Sequence, residues 1–465
     1  MKGDAEFRTE KDVLGEVLLP ADAYWGVNTF RATENFRISD KRLPEVFIRS
    51  LAEVKLACLE ANIELGLIEP AVGRALTRAV RELLDERRFM DQFPIDLYQT
   101  GSGTQENMNM NEVLANRANE ILGQPMGRKS PVHPNDHVNL GQSSNDVIPA
   151  AMNLSAMHLL REKLVPALEA LGRRLDGKIR EFKGIVKVGR THLQDAVPIP
   201  LDMEFRVYRR QTETAIERIE SACNELLYVP LGGTAVGTGI NAPEGFAELA
   251  VKNLARIAAL PFVLNPVKAE GIASHIAIVS ASAALRQTAL SLLKMANDIR
   301  WMGSGPRAGL FELLLPANEP GSSIMPGKIN PTQSEALIQV CLQVLGNDAV
   351  IVAAEGFGSI LDLNVCKPVM IYNLLDSASI LAGGIDSFIM HCLDGLRANE
   401  AQIRTQLDRM LMTVTNLTPL IGYDKCAEIA QKAFRENKTI RETIADMGLR
   451  IEGDLDELLD PGRMA

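Results

Sequence analysis

The sequence predicts a mostly α-helical protein built around a central bundle of five long helices. Three observations carry this prediction. Of 465 residues, 46% are hydrophobic but only 5% aromatic, and Ala, Leu and Met, which favour helix, are plentiful. Apolar residues recur every third or fourth position over long stretches. Irregular Gly-, Ser- and Pro-containing loops lie between those stretches. The length allows two or three domains. The expected division is a mixed N-terminal domain over 1–140, the long-helix bundle over 141–397 and a small helical C-terminal domain over 398–465.

Residues 1–45 carry turn signals at Leu19-Pro20 and Leu43-Pro44 and read as short strands or loops. Amphipathic helices follow at 46–65 and 70–87. A third, 105–122, comes after Gly101-Ser102-Gly103-Thr104. Asn107, Asn109 and Asn111 crowd its start, and so poor a helix former at such density marks either polar packing or a site. The first long helix opens on the N-capping run Ser143-Ser144-Asn145 and extends to 181. Leu154, Met157, Leu160, Leu164, Leu168, Leu171 and Leu175 line its apolar face. Pro166 predicts a kink or break there. Gly189–Ala196 reads as a loop. The other long helices are expected at 200–229, 272–303, 332–355 and 365–395. Val279, Leu285, Ala289, Leu292, Leu293, Met295 and Ile299 spread around one of them. That pattern predicts burial on several sides, hence an oligomer. The glycine-rich stretch 231–239 lacks the ending and the preceding strand of a phosphate loop.

A net charge of −10 argues against a nucleic-acid binder. Six scattered cysteines without a CxxC pair read as reduced core residues of a cytoplasmic protein. No apolar signal core opens the sequence. The apolar run 370–392 contains Asp376 and Asp386 and is not read as a membrane span.

Four loops, 101–104, 141–145, 189–192 and 321–330, share small hydroxyls, amides, glycine and one or two ionisable groups. None holds the carboxylate or His/Cys set of a metal site, so neither metal nor cofactor is expected. Donors dominate, which suits binding of carboxylates and proton abstraction beside one, where charge grows onto carboxylate oxygens.

The run Gly321-Ser322-Ser323-Ile324-Met325-Pro326-Gly327-Lys328-Ile329-Asn330-Pro331 resembles the signature of the fumarase/aspartase superfamily. The likeness extends through 100–116, 133–136, 142–146, 189–196, 231–241 and 346–348. Gly101-Ser102-Gly103-Thr104, Thr191-His192-Leu193-Gln194 and Pro326-Gly327-Lys328 are the forms of the class II fumarate hydratases. Aspartases, the alternative on the same fold, differ at all three places.

The resemblance implies a three-domain fold and a homotetramer with a twenty-helix core, each site drawing loops from three subunits. It implies reversible, cofactor-independent hydration of fumarate to (S)-malate. By motif, Ser322 is the base and Lys328 with Asn330 holds the carboxylate that becomes the aci-form. Ser102, Gly103, Thr104, Ser143, Ser144, Asn145, Thr191 and Ser323 bind substrate. His192, paired with Glu335, handles the water proton. His133, Asn135 and Asp136 form a second anion site. Two stretches depart from the family pattern: Ser130 replaces a basic residue three before His133, and Asp202-Met203 precede Glu204.

Overall fold

The computed structural model describes residues 7–465. It is mostly helical, and its strands pair only as two-stranded ribbons. The chain forms two compact units. One holds the residues up to 166 together with 217–287 and 342–381, and the other holds 167–216, 288–341 and 382–465.

In the first unit the helix Glu45–Glu64 is central, packing on Pro70–Asp85, Ser144–Leu159 and Phe246–Ala258. Pro70–Asp85 shows how sequence dictates the arrangement. Its Val72, Leu76, Ala79, Val80 and Leu83 are buried at helical spacing, each large side chain worth about 1.5–3 kcal/mol. Pro70 fits the first turn, where its missing N–H costs nothing. The N-terminal region, expected as strands or loops, contains both a hairpin (Phe7–Asp12 with Gly15–Pro20) and a helix, Val27–Asn35. That helix lacks a local side-chain cap. Buried Glu112 supplies the cap from a distant helix, accepting from the Gly26, Asn28 and Thr29 amides at 2.9–3.1 Å, so no local signal could reveal it. The crowded asparagines are scaffolding: Asn107 bonds Asn139, and Asn109 bonds the Gln92 carbonyl.

Pro166 does not break its helix. A π-helical turn, Leu160–Leu164, precedes it, with the Val165 amide reaching back to the Leu160 carbonyl, and the helix continues through Val165–Glu181. The widened turn accommodates the donor that proline lacks. The other long helices are Leu201–Leu226, Ile276–Met302, Thr332–Gly358 and Lys367–His391, close to expectation.

By length and composition, Ile276–Met302, Thr332–Gly358 and Lys367–Gly395 could each cross a membrane. In the first unit, however, they carry buried and half-buried polar contacts. Asp348 accepts from Ser282 and Arg286 at 2.7 Å, and Asn347 donates to Asp376 at 2.9 Å.

In the second unit Phe182, Phe205 and Tyr208 stack edge to face. The segment 189–196, expected as a loop, belongs to a β-hairpin of Val186–Thr191 and Gln194–Pro200. Its Val/Ile alternation is short and interrupted by Pro198, which hid it from periodicity. The C-terminal residues build a separate core of Val414, Leu417, Cys426, Ile429, Ile440 and Ile444.

Candidate active site

In the first unit a glycine turn and a helix N-terminus meet. Ser102 Oγ lies 2.7 Å from Thr104 Oγ1, which lies 2.9 Å from Ser144 Oγ. Three hydroxyls thus form one chain that can turn donors toward an anion. Gly103 adopts φ +76° to start the helix Thr104–Ile121. Gly101 is required by space: a Cβ there would lie 1.4 Å from the Val365 carbonyl oxygen. The Lys367 amide also donates to the Gly101 carbonyl at 3.0 Å.

Ser143 caps the helix Ser144–Leu159 in a capping box with Asp146, leaving Ser144 and Asn145 in the first turn, where helix amides favour negative charge. Asn145 donates to the Ala235 carbonyl at 2.8 Å. Buried Asp146 accepts from the Ser143 amide at 2.9 Å and from the Gly232 and Thr234 amides at 3.0 Å. The glycine-rich stretch therefore braces this helix start. Gly237, at φ +93°, could not carry a side chain, because a Cβ would lie 2.3 Å from the Ala269 backbone. Burial pushes the Asp146 carboxyl up to about 6.

The second anion motif is also in this unit. His133 caps a short π-helical turn, its Nδ1 accepting from the Asn135 and Asp136 amides at 3.2 Å. An Nδ1 engaged this way leaves Nε2 to carry the ring proton. The Asp136 carboxylate is 3.4 Å from the same Nδ1, but the two amides already occupy that lone pair.

The second unit holds the remaining residues. The loop 321–330 is sealed at its base: the Gly321 amide donates to the Lys328 carbonyl at 2.8 Å, and Asn330 Nδ2 donates to the Gly321 carbonyl at 2.7 Å. Its tip is open to solvent, with Ile324 83% exposed. Ser322 Oγ accepts from the Ile324 and Met325 amides at 3.2 and 3.0 Å. Two amides converging on a serine oxygen favour its alkoxide, as a base of that type requires. Ser323 and Lys328 are exposed on the same loop, and Glu335 lies in the first turn of the helix that follows.

Thr191 ends one strand of the hairpin. His192 and Leu193 make its two-residue turn at φ +56° and +58°. Neither is a glycine, so the tip holds backbone strain, a common mark of functional positions. The hairpin base is fixed by charge: Glu312, fully buried, meets Arg190 at 2.6 Å and Lys187 at 3.3 Å, and Lys187 also meets Glu204 at 3.0 Å. The unusual Asp202 pairs with Arg206, leaving Glu204 to Lys187. Burial raises the Glu204 carboxyl. Among the described residues, no hydrogen bond or ion pair joins His192 to Glu335 within the chain, and both side chains are exposed.

Two buried cations of the first unit escaped the sequence reading. Lys55 Nζ donates to Asn139 and Gln142 at 2.9 Å, and burial pushes it down to about 7. A lysine inside the apolar run Val54–Leu59 was the available signal. Lys367 is fully buried, and burial likewise lowers its ammonium to about 7.

Hydroxyls at a helix start mark the candidate site residues of the first unit, and a sealed serine loop marks those of the second. Residues 15–346 match the family model described as Lyase, and 414–465 match that described as Fumarase C C-terminus. The class II fumarate hydratase of Nitrosomonas europaea is 48% identical over 459 residues, covering 99% of each chain. That of Thermosynechococcus vestitus is 49% identical, covering 95% of this chain and 94% of its own. The crystal structure of class II fumarase from Schistosoma mansoni superposes with a TM-score of 0.95 at 39% identity, covering 99% of both chains. The chain belongs to the class II fumarate hydratase family.

Proposed function

We propose that this protein hydrates fumarate reversibly to (S)-malate without a cofactor. The observation that carries the proposal is the full-length match to class II fumarate hydratases. The curated relatives do not favour the aspartase-like alternative.

The residues take the following parts. Ser322, with two amides on its oxygen, removes the C3 proton of malate. Lys328 and Asn330 hold the carboxylate on which charge accumulates, an oxyanion-type stabilisation in which preorganised donors act. Ser102, Thr104, Ser144, Asn145 and Thr191 bind the dicarboxylate and the hydroxyl. His192, with Glu335 from another subunit, moves the water proton. His133, Asn135 and Asp136 take a second anion.

The assembly is a homotetramer with a shared helical core. In support, only 33% of the apolar window of Thr332–Gly358 is buried within one chain, while Leu342 is 55% and Phe357 85% exposed. Apolar surface on this scale calls for a partner. Residues 398–465 form the small C-terminal domain, which has its own core. The six cysteines are free, in keeping with a reducing cytoplasm.

The test follows the ultraviolet absorbance of fumarate with purified protein, first on adding malate and then aspartate. Fumarate formed from malate alone supports the proposal; formation from aspartate alone overturns it.

A further inference from the structure

Lys367 is a costly side chain of the first unit. It is 0% exposed, and its Nζ has no hydrogen-bond partner. A buried ammonium without a partner is strongly unfavourable. Its surroundings explain where a partner would come from. Its own amide holds the Gly101 carbonyl at 3.0 Å, so it sits against the turn that presents Ser102 and Thr104. The segment carrying it is pinned: Asn364 Nδ2 donates to Glu355 and Ser359, and the Cys366 amide donates to Asn364 Oδ1 at 2.7 Å. Glu355 in turn accepts from Ser274 and the His275 amide. The ammonium therefore cannot swing out to water. It feels the Asp146 carboxylate, which favours its charged form, and it adds to the burial that keeps the nearby His275 ring neutral. Asp146 is already occupied by three amides and does not hydrogen-bond it.

We infer that Lys367 is a positioning residue of the substrate site: its buried ammonium supplies the positive potential that draws a dicarboxylate onto the hydroxyls of Ser102, Thr104 and Ser144. The inference rests on the function proposed above. It accounts for a cost that folding alone does not repay, since a long apolar side chain in the same space would be more stable. Burial has already brought the free group near its neutral form, so the arrival of a dianion favours proton uptake. The other ionisable groups facing this region are Asp146, Lys55, Cys58, His275 and Glu355; a variant at 367 separates its share from theirs.

The experiment compares wild type with Lys367→Met, which keeps length and packing. Expected are a melting temperature equal to or above wild type and a KM for fumarate at least about tenfold higher, tenfold being the loss of one modest ionic contact. Calorimetric titration with succinate at pH 7.5, in buffers of different ionisation enthalpy, should show proton uptake in wild type and less in the variant. An unchanged KM with intact folding overturns the inference. If Lys367→Met does not fold, Lys367→Gln takes its place, and an unchanged KM with undiminished proton uptake in that variant overturns the inference; absence of proton uptake in wild type overturns it in either case. A wild-type protein that does not hydrate fumarate instead removes the functional reading itself.

Discussion

The Asp146 carboxylate accepts a hydrogen bond from the Gly232 amide at 3.0 Å, tying the glycine-rich stretch to the helix start that presents Ser144 and Asn145. Asparagine has one acceptor oxygen where the carboxylate uses two. Asp146→Asn should leave at least one buried amide unsatisfied, costing roughly 1–3 kcal/mol. It should also raise the KM for fumarate several-fold by loosening the first helical turn. Urea melts and initial rates check both; an unchanged midpoint means the bracing is unimportant.

Ser322→Ala removes the proposed base while leaving the loop's base seal, Gly321 to Lys328 and Asn330 to Gly321, in place. Turnover should fall by several orders of magnitude with little change in KM, as for an interaction made in the transition state. Turnover near that of the parent would reassign the base.

Lys328→Met deletes the exposed charge beside the helix that starts at Thr332. Losing one oxyanion-type donor costs about 10²–10³ in rate, so kcat should drop by at least about a hundredfold while the circular dichroism spectrum stays the same. A decrease of only a few-fold would make Lys328 an ordinary surface lysine.

Stability should rise with pH just above neutrality. Burial lowers Lys55 from 10.5 to about 7 in the folded chain. Between those values the unfolded chain binds the proton and the folded chain releases it, so the penalty is full below about 7 and is relieved as pH increases. Cys58 acts oppositely, but only above its ordinary value of 9.0, because burial pushes it up to about 12. Denaturant midpoints should therefore climb between about pH 7 and 8.5, and less steeply in Lys55→Met. Parallel profiles would assign the slope to other groups.

Much of this was legible beforehand. The long helices announce themselves through apolar spacing, and the irregular loop 321–330 through its glycines, prolines and small hydroxyls. The His192 hairpin was not legible, because its strands are short and its turn uses His and Leu at positive φ where Asn-Gly is the usual signal. The cap from Glu112, the bracing by Gly232 and the burial of Lys367 join residues far apart in sequence, and periodicity carries no information about such pairs. Pro166 misled because a single wide turn upstream absorbs what its ring removes.

The absent side chain at Gly101 also constrains the order of events as the chain is made. Its turn closes against the backbone of Val365, which leaves the ribosome only after most of the intervening chain. Translation adds about 5–20 residues per second, so the turn waits many seconds for the surface it fits. The hydroxyls of Ser102 and Thr104 ride on that turn and wait with it. The turn is thus among the last features a nascent molecule completes, and a truncated product ending before residue 365 lacks the backbone on which it rests.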